Sequence, residues 1–130
     1  MIYVASRVRH AEMWRRLRSQ YQINSTWIDE AGEGESSDLG ELWQRIHVEV
    51  LRSSALVLHV EQEDFPLKGA LIEVGMAMAV GKPIFVSAWH VELEERSLRP
   101  LGSWVHHPRV VLDQGEWCLD RMMRQASSVV

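Results

Sequence analysis

Short apolar runs alternate along this chain with stretches in which apolar residues recur every three or four positions, and that alternation sets the expected order of elements. Ile2-Tyr-Val-Ala5 has the density of a buried strand. From Ala11 to Gln20, Trp14 and Leu17 fall on one side and Arg15, Arg16 and Arg18 on the other, which predicts a helix, with Ser6 to His10 as the turn before it. Gln22 to Ile28 is rich in β-branched and aromatic residues and predicts a second strand. The acidic, glycine-rich Asp29-Glu-Ala-Gly-Glu-Gly-Glu35 then reads as a loop. Ser36, Ser37 or Asp38 can cap a helix running to about Arg52, with Leu39, Leu42, Trp43, Ile46 and Val50 as its apolar stripe. Ala55-Leu-Val-Leu-His-Val60 is again a buried strand. A loop from Glu61 to Lys68 leads into an apolar helix from Gly69, stopped by Gly81-Lys-Pro83, and Ile84 to Ser87 is a fourth strand. Trp89 to His107 predicts a loop with partial helix, Arg109 to Leu112 a fifth strand, and Glu116 to about Gln125 a last helix.

Strands separated by helices at this spacing predict an α/β fold. The expectation is a single domain over residues 1–130, flavodoxin-like or Rossmann-like and doubly wound, with a four- to five-stranded parallel sheet. Sites in such sheets form beyond the carboxyl ends of the strands. Four segments should therefore meet at one edge: Ser6 to His10, Trp27 to Glu30, His59 to Lys68 and Ser87 to His90.

Composition narrows the classes of function. A length of 130 residues is enough for a core without covalent staples. The formal charge of −4 argues against a nucleic acid polymer as partner, although small anions remain compatible with the arginines near the start. Cys118 is the single cysteine, so neither an internal disulfide nor a zinc-like cysteine spacing is available, and a reducing compartment is expected. Met1 to Ala5 is too short for a signal peptide, and no apolar run is long enough to span a bilayer, which together point to a cytoplasmic protein. His106-His107 is isolated, and His59 within a strand reads as a satisfied core residue, so no metal and no cofactor are expected.

The candidate chemistry centres on Glu73, the one ionisable side chain in the apolar stretch Gly69 to Gly81. At helical spacing its neighbours are Gly69, Ala70, Met76 and Ala77, mostly too small to fill the space around it. Burying an unpaired carboxylate costs several kcal/mol by the usual order of magnitude, so donors or the nearby helix N-terminus must stabilise it. Two readings stand side by side: a structural acid paired with Lys68 or an arginine, and a reactive acid in a hollow. Ser6, Arg7 and Arg9 place a hydroxyl and two guanidiniums in the first turn, suited to a phosphate or carboxylate, with surface arginines as the alternative. Trp27 and Asp29 offer an aromatic face and an acceptor to a heterocycle, with a core tryptophan as the alternative. No serine sits in a nucleophile elbow and Cys118 has no histidine beside it, which leaves a carboxylate nucleophile as the covalent chemistry on offer.

Met1-Ile-Tyr-Val-Ala-Ser6, Ser54-Ala-Leu-Val-Leu58 and especially Lys68-Gly-Ala-Leu-Ile-Glu-Val-Gly-Met-Ala77 with Gly81-Lys-Pro-Ile84 resemble the nucleoside 2-deoxyribosyltransferase family and its relatives, the deoxynucleoside 5'-monophosphate N-glycosidases. The resemblance runs to about Val86. It implies that Glu73 attacks C1' of the sugar, that Ser6 with Arg7 or Arg9 holds a 5'-phosphate, and that Gly69 belongs to the substrate side. It also implies a second catalytic group on the helix before the third strand; the candidates are Glu49 by chemistry and His47 by spacing. The chain departs from the family pattern at Leu67, where an Asp is frequent, and at Ala70, where a Thr is; Asp64 or Glu63 would supply that acceptor from the loop. The implied activity is cleavage or transfer of an N-glycosidic bond in a nucleoside or nucleoside 5'-monophosphate, in a homodimer or larger homo-oligomer. A nucleotide-binding or sensing module of the same fold, without catalysis, is the alternative.

Overall fold

The structure, a computed structural model, describes residues 1–30 and 38–130. Four strands, β1 (Ile2–Ala5), β2 (Ala55–His59), β3 (Ile84–Ser87) and β4 (Val110–Asp113), form one parallel sheet in the order β1-β2-β3-β4. The register sets Val4 beside Val57, Val57 beside Phe85, and Phe85 beside Val111. β1, β2 and β3 are buried along their whole length, as continuous apolar runs require. β4 is only partly covered and forms an edge.

The helices are α1 (Ala11–Leu17), α2 (Trp27–Glu30), α3 (Leu39–Arg52), α4 (Gly69–Ala79) and α5 (Cys118–Ser127). α1 follows a 3-10 turn at Val8–His10, so the predicted turn is itself helical and the helix ends three residues before Gln20. Asp38 caps α3 by accepting the Glu41 N–H at 2.9 Å. The other capping candidates, Ser36 and Ser37, and residues 31–35 of the acidic loop lie outside the described residues. From Trp89 to His107 the chain is irregular apart from a 3-10 turn at Ser103–His106, as expected. Trp14, Tyr3, Ile28, Leu56 and Leu58 are among the largest fully buried side chains. Among the described residues no helix is long and apolar enough to cross a membrane.

The second predicted strand is where the structure departs from the pattern. Gln22 to Ile28 contributes one bridge, Ile23 against Ile2, and then turns into α2. Side chains take over the hydrogen bonds that strand would have made. The Ile2 N–H still donates to the Gln22 carbonyl and the Asn24 N–H to the Ile2 carbonyl. One step along, however, the Val4 N–H donates to Ser25 Oγ at 2.8 Å, and the Trp27 indole N–H donates to the Val4 carbonyl at 2.9 Å. Asn24 and Thr26 are drawn off the sheet by α3, where Asn24 Nδ2 donates to the Glu49 carbonyl and Thr26 donates to the Glu49 carboxylate. Polar side chains able to bond backbone groups compete with a ladder, and here they win after one residue.

That vestigial pairing fixes the winding. The chain moves from β1 to one side at Ile23, then crosses back to β2, β3 and β4 in order. With right-handed crossovers, α1 lies on one face and α3 and α4 on the other, and the direction reverses between β1 and β2. Replacing Ser25 by Ala leaves the Val4 N–H buried without its acceptor. Ser25→Ala is expected to lower stability by about 1–3 kcal/mol in urea unfolding; unchanged stability would mean that this edge is not closed as described.

Candidate functional site

At the reversal between β1 and β2 the structure opens a cavity of about 320 Å³. Ser6 and Arg7, which follow β1, and Leu67, Lys68 and Gly69, which precede and open α4, line its mouth and floor together with Glu73. The wall comes from Trp27 on α2 and from Leu42, Trp43 and Ile46 on α3. The smallness of Gly69 is used: a Cβ there would meet the Trp43 ring at 3.4 Å, so helix and indole sit in close contact. Lys68, at a φ of 51°, holds a backbone conformation that costs a non-glycine residue energy.

Glu73 is only 6% exposed. Its partner is the Tyr3 hydroxyl, which donates to Glu73 Oε1 from the middle of β1. Among the described residues it makes no ion pair, so pairing with Lys68 or an arginine is not what holds it. Burial pushes its pKa up, the Tyr3 hydrogen bond pulls it down, and the nearby Glu49 pushes it up again, leaving it raised to about 7. The helix start was expected to favour the anion; Glu73 lies one turn inside α4, and its pKa is raised, chiefly by burial. Burial and the Glu73 carboxylate likewise raise the pKa of Tyr3, which stays a hydroxyl donor.

Of the predicted site residues, the structure gathers Ser6, Arg7, Trp27, Gly69 and Glu73 around one cavity. Five others are elsewhere. Arg9 turns away to Asp64, at 2.6 Å, and to Glu61, at 3.2 Å. Asp64 is buried as an acceptor for Arg9, His10 and the Glu61 N–H and does not line the cavity. Asp29 binds Arg18 through both carboxylate oxygens. His47 is exposed, one turn after Trp43 on α3, and does not line the cavity. Glu49 lies near enough to act on the Glu73 charge, but its oxygens accept the Thr26 N–H and hydroxyl. The Ser6 hydroxyl donates to the Arg7 carbonyl and accepts the Trp14 indole N–H.

Sequence reasoning missed Tyr3, Trp43 and Lys68. Tyr3 carried a usable signal, since a phenol inside an otherwise apolar strand must find a partner for its hydroxyl when buried. Trp43 was legible only as part of a core stripe. Compared with protein-family models, with curated proteins and with solved structures, the chain gives no match.

The raised acid has a consequence for stability. The folded-state pKa of Glu73, about 7, lies above its ordinary value of 4.5, so the folded form holds the proton more tightly than the unfolded one. The corresponding stabilisation is fully present below the ordinary value and is lost as pH rises through 7. In urea unfolding from about pH 4 to about pH 8, the wild type should lose on the order of 3 kcal/mol relative to Glu73→Gln. A pH-independent difference would contradict the buried environment described.

Proposed function

We propose that this protein cleaves or transfers the N-glycosidic bond of a nucleoside or nucleoside 5'-monophosphate, with Glu73 as the nucleophile. The observation that carries this reading is a solitary buried carboxylate facing a cavity at the sheet's reversal point, with a guanidinium and a lysine at the same cavity's mouth. Glu73 in its ionised form attacks C1' of the sugar; the bond to the base breaks with its electron pair leaving on the base, and a glycosyl ester forms. Water or a second base then takes the sugar and frees the carboxylate. Tyr3 holds the attacking oxygen and lowers the acid's pKa against burial. Trp27 and Trp43 supply flat apolar surface for a base, and Arg7 and Lys68 supply positive charge for a 5'-phosphate. The resemblance of the Lys68 to Ala77 segment to the nucleoside 2-deoxyribosyltransferase family supports the same roles. A reducing, cytoplasmic setting fits the single thiol, Cys118, which is buried.

One observation favours a second reading, a binding module without turnover. Both oxygens of Glu49 are occupied by Thr26 and His47 faces outward, so neither candidate for a second catalytic group lines the cavity. The two readings separate on one assay. Incubation with a panel of nucleosides and 5'-monophosphates, with and without a free acceptor base, is expected to release or exchange the base; Glu73→Gln should lower the rate by roughly 10³-fold or more. Saturable binding without release, surviving Glu73→Gln, would select the binding module. Because Glu73 must be ionised to attack, kcat/KM should rise with pH through about 7. Tyr3→Phe, lacking the donor, should move that rise to higher pH.

A homodimer belongs to this proposal. α4 carries no charge except buried Glu73, and its outward side exposes Leu71 at 38%, Ile72 at 56% and, just past its end, Val80 at 47%. A helix apolar on all sides is ordinarily covered, and a second copy would cover it beside the cavity. Trp89 and Trp117 are the exposed members of the six tryptophans. Sedimentation is expected to give a dimer for the wild type and a monomer for Ile72→Glu; a monomeric wild type would remove this part of the proposal.

A further inference from the structure

Outside the Glu73 cavity, a second set of side chains converges at the same edge of the sheet. His10, from the 3-10 turn before α1, and His59, the last residue of β2, are both buried, and their rings meet edge to face with centroids 4.8 Å apart. Glu61 follows two residues after β2. One ligand atom from each of these three residues lies within 4.8 Å of the others. Glu61 Oε2 stands 2.9 Å from His59 Nε2 and 3.8 Å from His10 Nδ1. Bonds of about 2.0–2.1 Å to a tetrahedral zinc ion put neighbouring ligand atoms about 3.3 Å apart, between these two separations.

The remaining nitrogens are held in the way metal-bound imidazoles are held. His10 Nε2 lies 2.8 Å from Asp64 Oδ2, and His59 Nδ1 lies 3.2 Å from Ser87 Oγ. A carboxylate or hydroxyl on the far nitrogen fixes ring orientation and tautomer and makes the near nitrogen a better donor to metal. Arg9 binds the other oxygen, Glu61 Oε1, at 3.2 Å and so leaves Oε2 directed at the histidines. Arg9 also contacts Glu63 and Asp64. Three carboxylates around one guanidinium leave a formal excess of two negative charges, which a divalent ion balances.

We propose that His10 Nδ1, His59 Nε2 and Glu61 Oε2 form a three-ligand site for a borderline divalent metal ion of the zinc type. Two imidazoles and a carboxylate select such an ion over magnesium or calcium, which take mostly oxygen. Three protein ligands leave a position for water or another ligand. Glu61, with 43% of its side chain exposed, forms the entry, while His10 and His59 are nearly closed off. The ion would also join the first turn after β1 to the end of β2, since its ligands come from both.

The test uses the full chain, stripped of metal by a chelator and titrated with Zn²⁺ in competition with a chromophoric chelator, and with Co²⁺ followed by visible absorption. The expected result is one Zn²⁺ per chain at micromolar affinity or tighter, and the d–d bands of a four- or five-coordinate Co²⁺. Ser87→Ala, which removes the hydroxyl behind His59 together with its contact to the Cys118 thiol, is expected to weaken binding by about 10–100-fold. His10→Gln and His59→Gln, checked for folding by circular dichroism, should weaken it further. Should both fail to fold, half-exposed Glu61→Gln decides: loss of affinity supports the site and unchanged affinity overturns it. The absence of saturable Zn²⁺ binding overturns the proposal. So does binding that survives His10→Gln and His59→Gln, or that is lost on replacing His106 and His107 instead.

Discussion

The contact between the Tyr3 hydroxyl and the Glu73 carboxylate joins the first strand to the helix that crosses it, and the local structure follows from its needs. A carboxylate this deep requires at least one donor, and β1 supplies it from a side chain, because its own N–H groups are used elsewhere. The wall built by Trp27, Leu42, Trp43 and Ile46 is largely apolar, and among the described residues Arg7 and Lys68, which also line the hollow, form no ion pair with the acid. The acid is thereby held between protonation states, and not firmly in either.

A comparison within the molecule shows how much environment decides. Asp64 is also buried, at 2% exposure, a few residues beyond the same sheet edge. Burial pushes its carboxyl up too, but hydrogen bonds from His10, Arg9 and the Glu61 N–H outweigh that and hold it below the usual range. Glu61 behaves alike, with burial opposed by His59, His10 and Arg9. His59 is driven the other way, since burial disfavours its cationic form more than Glu61 restores it. Two acids at one edge thus have opposite characters, one an anchor saturated with donors and the other starved of them.

The sheet was legible because β1, β2 and β3 are short runs apolar on both faces, separated by stretches with helical periodicity. Glu73 was legible for the opposite reason, as a single charge where the pattern demands none. Residues 22–28 were misread since Ile23, Thr26, Trp27 and Ile28 have strand-forming side chains, whereas the hydrogen bonds of Asn24, Ser25 and Thr26 to other elements decide the backbone. Arg9 and Asp64 were assigned to substrate because charge shows in a sequence and pairing across 55 positions does not. The distinction between Arg7, which faces the cavity, and Arg9, which does not, depends on a 3-10 turn that no periodicity announces.

Trp27 donates its indole N–H to β1 and, with the same ring, forms part of the cavity wall. The border of the sheet and the shape of the hollow therefore share one side chain. Adding or deleting a residue between Gln22 and Trp27 would shift both together, so length variation that loops ordinarily tolerate is closed to this connection. Any partner that peeled this segment from β1 would at the same moment dismantle the chamber around the acid.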